Sequence, residues 1–396
     1  MNIPFLDLKR QYAQLSDDLE PIVINVLRSG AYIGGRSVEE FEDNMQEYLG
    51  VRHVVSCANG TDALMIALRA YNVNPGDEVI TTPFTFFASA EAIAAVGATP
   101  VFVDVHELDF TIDPLKIECK ITEKTKAIMP VHIFGWPCNM DMINQIAQKH
   151  GLKVIEDAAQ AIGSEYKGSK IGASNNLASF SFYPTKNLGA FGDAGMITTN
   201  DDQLAVIVRA LREHGMGSNG AKARELLYGI EDEFEAQTIV GEIYNQNKYY
   251  NHLIGYNSRL DAIQAAILNQ KLKHLDGYNA ARQRIAELYE NGLKDIVKTP
   301  DLPKYGKSCY HQYAIRVNRK KDLVAFLSQR GIGCGDFYPV PLHLQKAFDS
   351  LGYKRGDFPI AELLTKQTVC LPIFPELTYD EAESVIRAVR DFEKED

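Results

Sequence analysis

What the sequence lacks narrows its class before any motif is read. Six cysteines, at positions 57, 119, 138, 309, 334 and 370, form no CxxC pair and stand at no metal-ligand spacing. That scatter excludes a disulfide framework or a structural zinc site and fits free thiols in a reducing compartment. No apolar run approaches the ~20 residues of a membrane-spanning helix, so no membrane association is expected. The first residues, Met1-Asn2-Ile3-Pro4-Phe5-Leu6-Asp7, lack the basic stretch and apolar run of a secretory leader, and the expectation is a cytoplasmic protein. Positive charge is in deficit: 41 Lys and Arg against 52 Asp and Glu leave a formal charge of −11. An acidic surface repels nucleic acid and anionic lipid alike, so neither is an expected partner. The glycine run near residue 190 is not the GxGxxG turn that a nicotinamide dinucleotide requires between strand and helix.

What is present is an ordinary globular composition, 45% hydrophobic and 23% charged, on a 396-residue chain long enough to bury its core without cross-links. Strand-like runs at 51–56, 78–82, 100–105, 127–131, 152–156, 178–182 and 196–199 alternate with helical segments such as 61–70 and 88–96. That alternation predicts an α/β fold with a largely parallel sheet flanked by helices, whose ligand sits at the carboxyl ends of the strands. From 259 to 293 helical periodicity takes over, with Leu260, Ile263 and Ile267 on one face and a break expected near Gly277. A strand at 311–317 and helices near 322–329 and 377–392 predict a small C-terminal α/β domain. The division expected is 1–265, with an N-terminal arm, and 266–396, with a connecting helix. The polar stretch 215–249, containing Gly217-Ser218-Asn219-Gly220 and Glu231-Asp232-Glu233, reads as a solvated surface excursion.

Four segments carry candidate chemistry. In Ala58-Asn59-Gly60-Thr61-Asp62-Ala63-Leu64 a strand meets a helix, and the first amides, Thr61 and Asp62, are placed to bind an anion such as phosphate. An ordinary turn with a threonine cap is the competing reading. Val154-Ile155-Glu156-Asp157-Ala158-Ala159-Gln160 ends an apolar strand in carboxylates, with Asp157 and Gln160 directed at the crevice or, alternatively, the carboxylates capping the next helix. In Ser179-Phe180-Ser181-Phe182-Tyr183-Pro184-Thr185-Lys186 a lysine follows a strand. Buried there, its amine loses hydration and becomes a nucleophile; on the surface it would be one more solvated cation. Pro83-Phe84-Thr85-Phe86-Phe87-Ala88-Ser89 offers an aromatic ring for a planar cofactor, or simply core packing. Phosphate cradle, ring platform, buried carboxylate and reactive lysine together are the parts that pyridoxal 5′-phosphate (PLP) needs.

The sequence resembles the DegT/DnrJ/EryC1/StrS family of fold-type-I sugar aminotransferases over nearly its whole length. The resemblance rests on Phe5-Leu6-Asp7-Leu8, Gly30-Ala31-Tyr32-Ile33-Gly34-Gly35, Gly60-Thr61-Asp62-Ala63-Leu64, Glu156-Asp157-Ala158-Ala159-Gln160 and Ser181-Phe182-Tyr183-Pro184-Thr185-Lys186-Asn187-Leu188. It continues through Gly255-Tyr256-Asn257-Ser258-Arg259-Leu260-Asp261, Tyr338-Pro339-Val340-Pro341-Leu342-His343 and Leu371-Pro372-Ile373-Phe374-Pro375. The resemblance implies Lys186 as the Schiff-base lysine and Asp157 as partner of the cofactor's ring nitrogen. Gln160 would lie near the phenolic oxygen, Phe86 on the ring, and Gly60, Thr61 and Ser181 on the phosphate. Asn257 would reach the phosphate of a neighbouring subunit, making a homodimer with shared sites. Tyr32, Arg259, His311 and Tyr313 are substrate-contact candidates, and no metal is implied.

By the same resemblance the activity is a ping-pong transfer of an amino group from L-glutamate, leaving 2-oxoglutarate, to a dTDP- or UDP-linked ketohexose. The opening motif and residues 32–35 resemble members that aminate C3. A cluster such as Lys9, Arg10 or Arg259 would meet the diphosphate. One departure stands out: residues 216–249 intervene where family members pass quickly to the Tyr-x-His-x-x-Gly-x-Asn stretch, here 250–257. An elongated surface loop is the expectation, a shaped substrate entrance the alternative. A dehydratase of the same fold would carry histidine in place of Lys186, and a non-catalytic regulatory homologue would lack the lysine or the aspartate; both are present.

Overall fold

The structure, a computed structural model, describes residues 2–231, 250–301 and 303–394. Nine strands fall in the first half: β1 (His53–Cys57), β2 (Glu78–Thr81), β3 (Thr99–Phe102), β4 (Thr125–Ile128), β5 (Lys153–Asp157), the short β6 (Glu165–Tyr166) and β7 (Ser169–Lys170), β8 (Leu177–Ser181) and β9 (Gly195–Thr199). Three follow: β10 (Gly306–Lys307), β11 (Tyr313–Arg316) and β12 (Thr368–Leu371). The helices are α1 (Leu8–Ser29), α2 (Arg36–Leu49), α3 (Gly60–Ala70), α4 (Ala88–Ala95), α5 (Met140–His150), α6 (Asp202–Arg212), α7 (Gly217–Tyr228), α8 (Ala262–Leu272), α9 (Leu275–Leu293), α10 (Lys320–Gln329), α11 (Pro359–Gln367) and α12 (Tyr379–Lys394).

The main sheet has seven strands in the order β1-β9-β8-β5-β4-β2-β3. It is parallel except for β9, which returns antiparallel between β1 and β8. Its strands are buried on both faces, as a helix-covered parallel sheet demands. Along β8 and β9 the two cores alternate. Leu177 and Ile197 pack with Leu64 and Ile66 of α3 and Val208 of α6, while Phe180 and Met196 pack with Phe41 and Met45 of α2 and Leu268 of α8. This period of two is the physical basis of the layered architecture.

A second core gathers Tyr289 and Leu293 of α9, Tyr313 and Ile315 of β11, Leu323 and Leu327 of α10, Val369 and Leu371 of β12, and Val385 and Val389 of α12. Ile3 belongs to it as well. Its backbone exchanges hydrogen bonds of 2.8 Å with Gly331 and Gly333, tying the start of the chain to its C-terminal part.

Two expectations are corrected. The break in the long helical segment falls at Lys273 and His274, not Gly277, which lies inside α9. Leu275 is fully buried and fixes where α9 must start, whereas a single glycine costs a helix only ~1 kcal/mol and is carried. The polar stretch after Gly215 is not all surface excursion, because Gly217–Tyr228 forms α7 with Ala223 buried in the main core. Gly220 permits this: a β-carbon there would stand 2.1 Å from the Gly215 carbonyl oxygen. Residues 232–249, the rest of that stretch, lie outside the described residues. Among the described residues no helix is long and apolar enough to cross a membrane.

Candidate active site

The two carboxylates that end β5 point to opposite sides and do different work. Glu156 is buried against His132 at 3.0 Å and accepts from Ser174 at 2.6 Å and Asn176 at 2.8 Å. Asp157 faces the other way, where Oδ2 accepts from the Ser89 hydroxyl at 2.7 Å and Oδ1 from the Ala159 amide at 3.2 Å. Neither caps a helix. Burial pushes the Asp157 carboxyl above its usual pKa, with the Ser89 and Ala159 hydrogen bonds and the Lys186 charge opposing it. Among the described residues no cation stands within ion-pair distance of Asp157. It is a charge waiting for a cationic guest.

Lys186 sits in the connection from β8 to β9. That loop is closed by Ala190 N bonding Phe182 O and Lys186 N bonding Tyr183 O, both at 2.8 Å. It is so tight that a β-carbon on Gly189 would lie 2.3 Å from the Pro184 oxygen. The Lys271 amine bonds the Gly189 carbonyl from below. Desolvation brings the Lys186 amine down to a pKa of about 8, with the Asp157 charge resisting. Lys186 is thus a desolvated amine and not a solvated surface cation, and its lowered pKa favours the unprotonated form that a nucleophile needs.

At the start of α3 the cap is Asn59, whose side chain accepts from the Asp62 amide at 2.8 Å. The expectation that the Asp62 amide is open to an anion is therefore corrected; the amides of Gly60 and Thr61 and the Ser181 hydroxyl remain. A β-carbon on Gly60 would come within 2.7 Å of the Ser181 β-carbon, so only glycine lets the helix start and the strand end close into one cradle. The positive end of the α3 dipole points there.

Phe86, 59% exposed despite its size, presents its ring at the cavity 6.4 Å from that of Tyr338. Gln160 is fixed at both ends, accepting from Phe134 N at 2.8 Å and donating to the Tyr338 hydroxyl at 2.9 Å. Gly60, Thr61, Phe86, Asp157, Gln160, Ser181, Lys186 and His311 all line one cavity of ≈ 580 Å³. Phe5, Ser89, Gln312 and Tyr338 join them there without having been expected. Ser89 had a sequence signal, being one helical turn from Thr85 in a segment read only for its aromatics.

Other expected residues are placed elsewhere. Tyr313 is 1% exposed in the second core, its ring 5.1 Å from Tyr289, and its reading as a substrate contact is corrected: β11 begins at Tyr313 and is sandwiched there. Arg10 is likewise removed from any diphosphate cluster, because its guanidinium grips Glu381 through bonds of 2.8 and 2.7 Å. Tyr32 is surface-exposed with its hydroxyl on Leu27 O, and Arg259 lies 3.9 Å from Glu213. Asn257 is exposed outside its own chain's cavity. Its neighbour Ser258 bonds Asp62 at 2.6 Å and Ala58 N at 3.1 Å, strapping that segment to the back of the cradle.

A flat ring bearing a cationic nitrogen, an aldehyde and a phosphate matches this donor set group by group. The decisive finding is a match to the model of one family across residues 14–390. The chain belongs to the DegT/DnrJ/EryC1/StrS aminotransferase family. It is 45% identical to a pleiotropic regulatory protein of Geobacillus stearothermophilus over 99% of both chains. It is 39% identical to the dTDP-3-amino-3,4,6-trideoxy-α-D-glucose transaminase of Streptomyces venezuelae, covering 98% of this chain and 96% of that one. The crystal structure of Bacillus subtilis NtdA with bound cofactor PMP superposes with a TM-score of 0.85 at 31% identity, over 99% of this chain and 85% of NtdA. This family member is a transaminase, and its cofactor is PLP.

Proposed function

We propose that the protein transfers an amino group from L-glutamate to a nucleotide-linked ketohexose, carried on dTDP or UDP and aminated at C3. The product would serve amino-sugar biosynthesis for a surface polysaccharide or glycosylated metabolite, made in the cytoplasm. The observation that carries this reading is the pairing, in one cavity, of a lysine with pKa about 8 and a buried aspartate that has no ion-pair partner among the described residues. The name of the Streptomyces relative, a 3-amino-sugar transaminase, supports the choice of C3.

When bound, PLP supplies an electron sink for the pair left behind as a substrate Cα–H bond breaks. The chain's residues do the rest. Gly60, Thr61 and Ser181 hold the phosphate, and Phe86 covers the ring face. Asp157, oriented by Ser89, would keep the ring nitrogen protonated, while Gln160 would lie near the phenolic oxygen. Lys186 Nζ would anchor the cofactor through its aldehyde carbon, as the unprotonated amine that its lowered pKa favours. As a free amine it would carry the proton from the donor's Cα to the carbon that bore the aldehyde, and in the second half from that carbon to the sugar carbon that receives nitrogen.

The working unit in this reading is a homodimer in which Asn257 completes the partner's cradle. Its exposure beside a segment strapped to its own cradle, and the exposed Tyr12, Ile33, Phe191 and Ile254, support that. The Geobacillus relative's name gives a regulatory role a second claim. The test is purified holoenzyme: glutamate should bleach its visible colour, and one of a panel of 3-keto and 4-keto nucleotide sugars should restore it and acquire an amine located by NMR. A colour unchanged by glutamate would favour the regulatory reading.

A further inference from the structure

His311 and Gln312 both line the cavity, on the segment leading into β11. The hydrogen bonds behind His311 run from two backbone carbonyls, and a carbonyl can only accept. Asn279 Nδ2 donates to Ile162 O at 3.2 Å, which turns Asn279 Oδ1 toward Asn187. Asn187 Nδ2 donates to that oxygen at 2.8 Å and to Cys309 O at 2.9 Å. Both amide hydrogens of Asn187 are then in use, and its Oδ1 faces His311 Nδ1 at 3.3 Å. The proton of the neutral imidazole must sit on Nδ1, leaving a lone pair on Nε2.

Asn187, Asn279 and His311 are 4%, 5% and 7% exposed, so bulk water does not compete for these bonds. Burial and the charges of Lys186 and Arg282 hold the imidazole well below its usual pKa and so neutral. Nε2 has only a contact of 3.5 Å to Gln312 Nε2, at the limit of a hydrogen bond. Among the described residues the buried Oε1 of Gln312 has no partner. That oxygen is closed to a guest, so His311 Nε2 is the acceptor here that lacks a strong donor, on a residue that lines the cavity.

We propose that Asn187 and Asn279 are positioning residues that lock His311 as the Nδ1–H tautomer, so that its Nε2 accepts a hydroxyl of the acceptor sugar. The sugar as guest rests on the function proposed above; the tautomer does not. Such an acceptor selects a substrate that keeps the hydroxyl over its deoxy analogue, because the analogue leaves the buried Nε2 unpaired.

The test is holoenzyme labelled with ¹⁵N at histidine, with His311→Gln and His311→Asn identifying the signal. Long-range ¹H–¹⁵N correlation should show the Nδ1–H pattern, unchanged between pH 6.5 and 9. This measurement on the native protein needs no variant to fold. Asn279→Leu should yield a mixture of tautomers. With one hydrogen bond lost, Asn279→Leu should raise the sugar KM about tenfold and leave the rate of bleaching by glutamate within about twofold. A native Nε2–H tautomer, or titration near 6.5, overturns the positioning role. An equal loss in both half-reactions overturns the hydroxyl contact. If no ketosugar is aminated, the sugar reading fails, and the tautomer measurement still decides the rest.

Discussion

The Ser89 hydroxyl donates to Oδ2 of Asp157 across 2.7 Å, and Thr85 Oγ1 lies 3.1 Å behind it. The carboxylate at the tip of β5 is therefore held by the Ser89 hydroxyl, itself backed by Thr85, and by the Ala159 amide, with no cation at ion-pair distance among the described residues. Neutral donors orient a carboxylate without cancelling its charge. That leaves the charge for a cationic guest, the ring nitrogen in the function proposed above, which a structural ion pair would not.

Ser89→Ala removes a donor that lowers the Asp157 pKa and leaves burial, which raises it, less opposed. The carboxyl becomes harder to ionise, and its grip on a protonated ring nitrogen weakens. PLP affinity of the apoprotein, read by fluorescence titration, should fall about tenfold for the loss of one hydrogen bond to a charged group. The loss should be larger at pH 6 than at pH 8, because protonation of Asp157 is favoured at the lower pH. Equal affinities for the variant and native protein at both pH values would remove Ser89 from this role.

Lys186 makes a kinetic prediction. Its amine, with a pKa of about 8, is the reactive form only when unprotonated. The rate at which apoprotein captures PLP covalently, followed by the growth of visible absorbance, should rise with pH through about 8 and level off by pH 9.5. An amine with the ordinary lysine pKa of ~10.4 would still be gaining rate there. Lys186→Ala should show neither the absorbance nor transamination.

Much of this was legible in the sequence because alternation and glycine placement are local. The runs at 152–156 and 178–182 fall on β5 and β8 with shifts of one residue, since buried parallel strands are short apolar runs. Gly60, Asp157 and Lys186 could be singled out because each breaks the pattern of its element at a strand end. Tyr338 and Gln312 carry no such mark. Their place is set by how the second core docks on the first, a relation that no local window contains. Tyr313 misled for the same reason, since it stands two residues from His311 and only the packing of β11 separates their roles. Arg10 looked like a free cation because Glu381 is 371 residues away.

Two glycines separate a functional from an incidental absence of side chain. Gly60→Ala drives a methyl into the Ser181 side chain at 2.7 Å and opens the cradle, and should cost about 1–3 kcal/mol along with most PLP affinity. Gly277, inside α9, has nothing within 4 Å of where a β-carbon would go, and Gly277→Ala should stabilise by about 0.5–1 kcal/mol without altering PLP binding. Urea melts with and without cofactor check both. A Gly60→Ala protein with native affinity would exclude the cradle.

The Arg10–Glu381 clamp predicts how the protein fails in acid. Chiefly through its bonds to Arg10, the Glu381 carboxyl is held at a pKa of about 2, below its ordinary ~4.3. A depressed carboxyl contributes stability that is complete above the unfolded pKa and is lost as pH falls through the folded one. The window is thus about pH 4.5 down to 2. Arg10 opens α1 and Glu381 opens α12, so the clamp ties the N-terminal arm to the second core beside Ile3. Arg10→Met should lower stability at pH 7 by about 1–2 kcal/mol, as expected for a bidentate pair half-shielded from solvent, and should flatten the acid limb of the stability curve. Because Phe5 lines the cavity between these two anchors, the same variant should loosen that wall and raise the sugar KM more than it lowers kcat. Chemical denaturation at stepped pH, with steady-state kinetics at pH 7.5, measures both. An acid limb of unchanged slope in Arg10→Met would show that the clamp contributes nothing to folding.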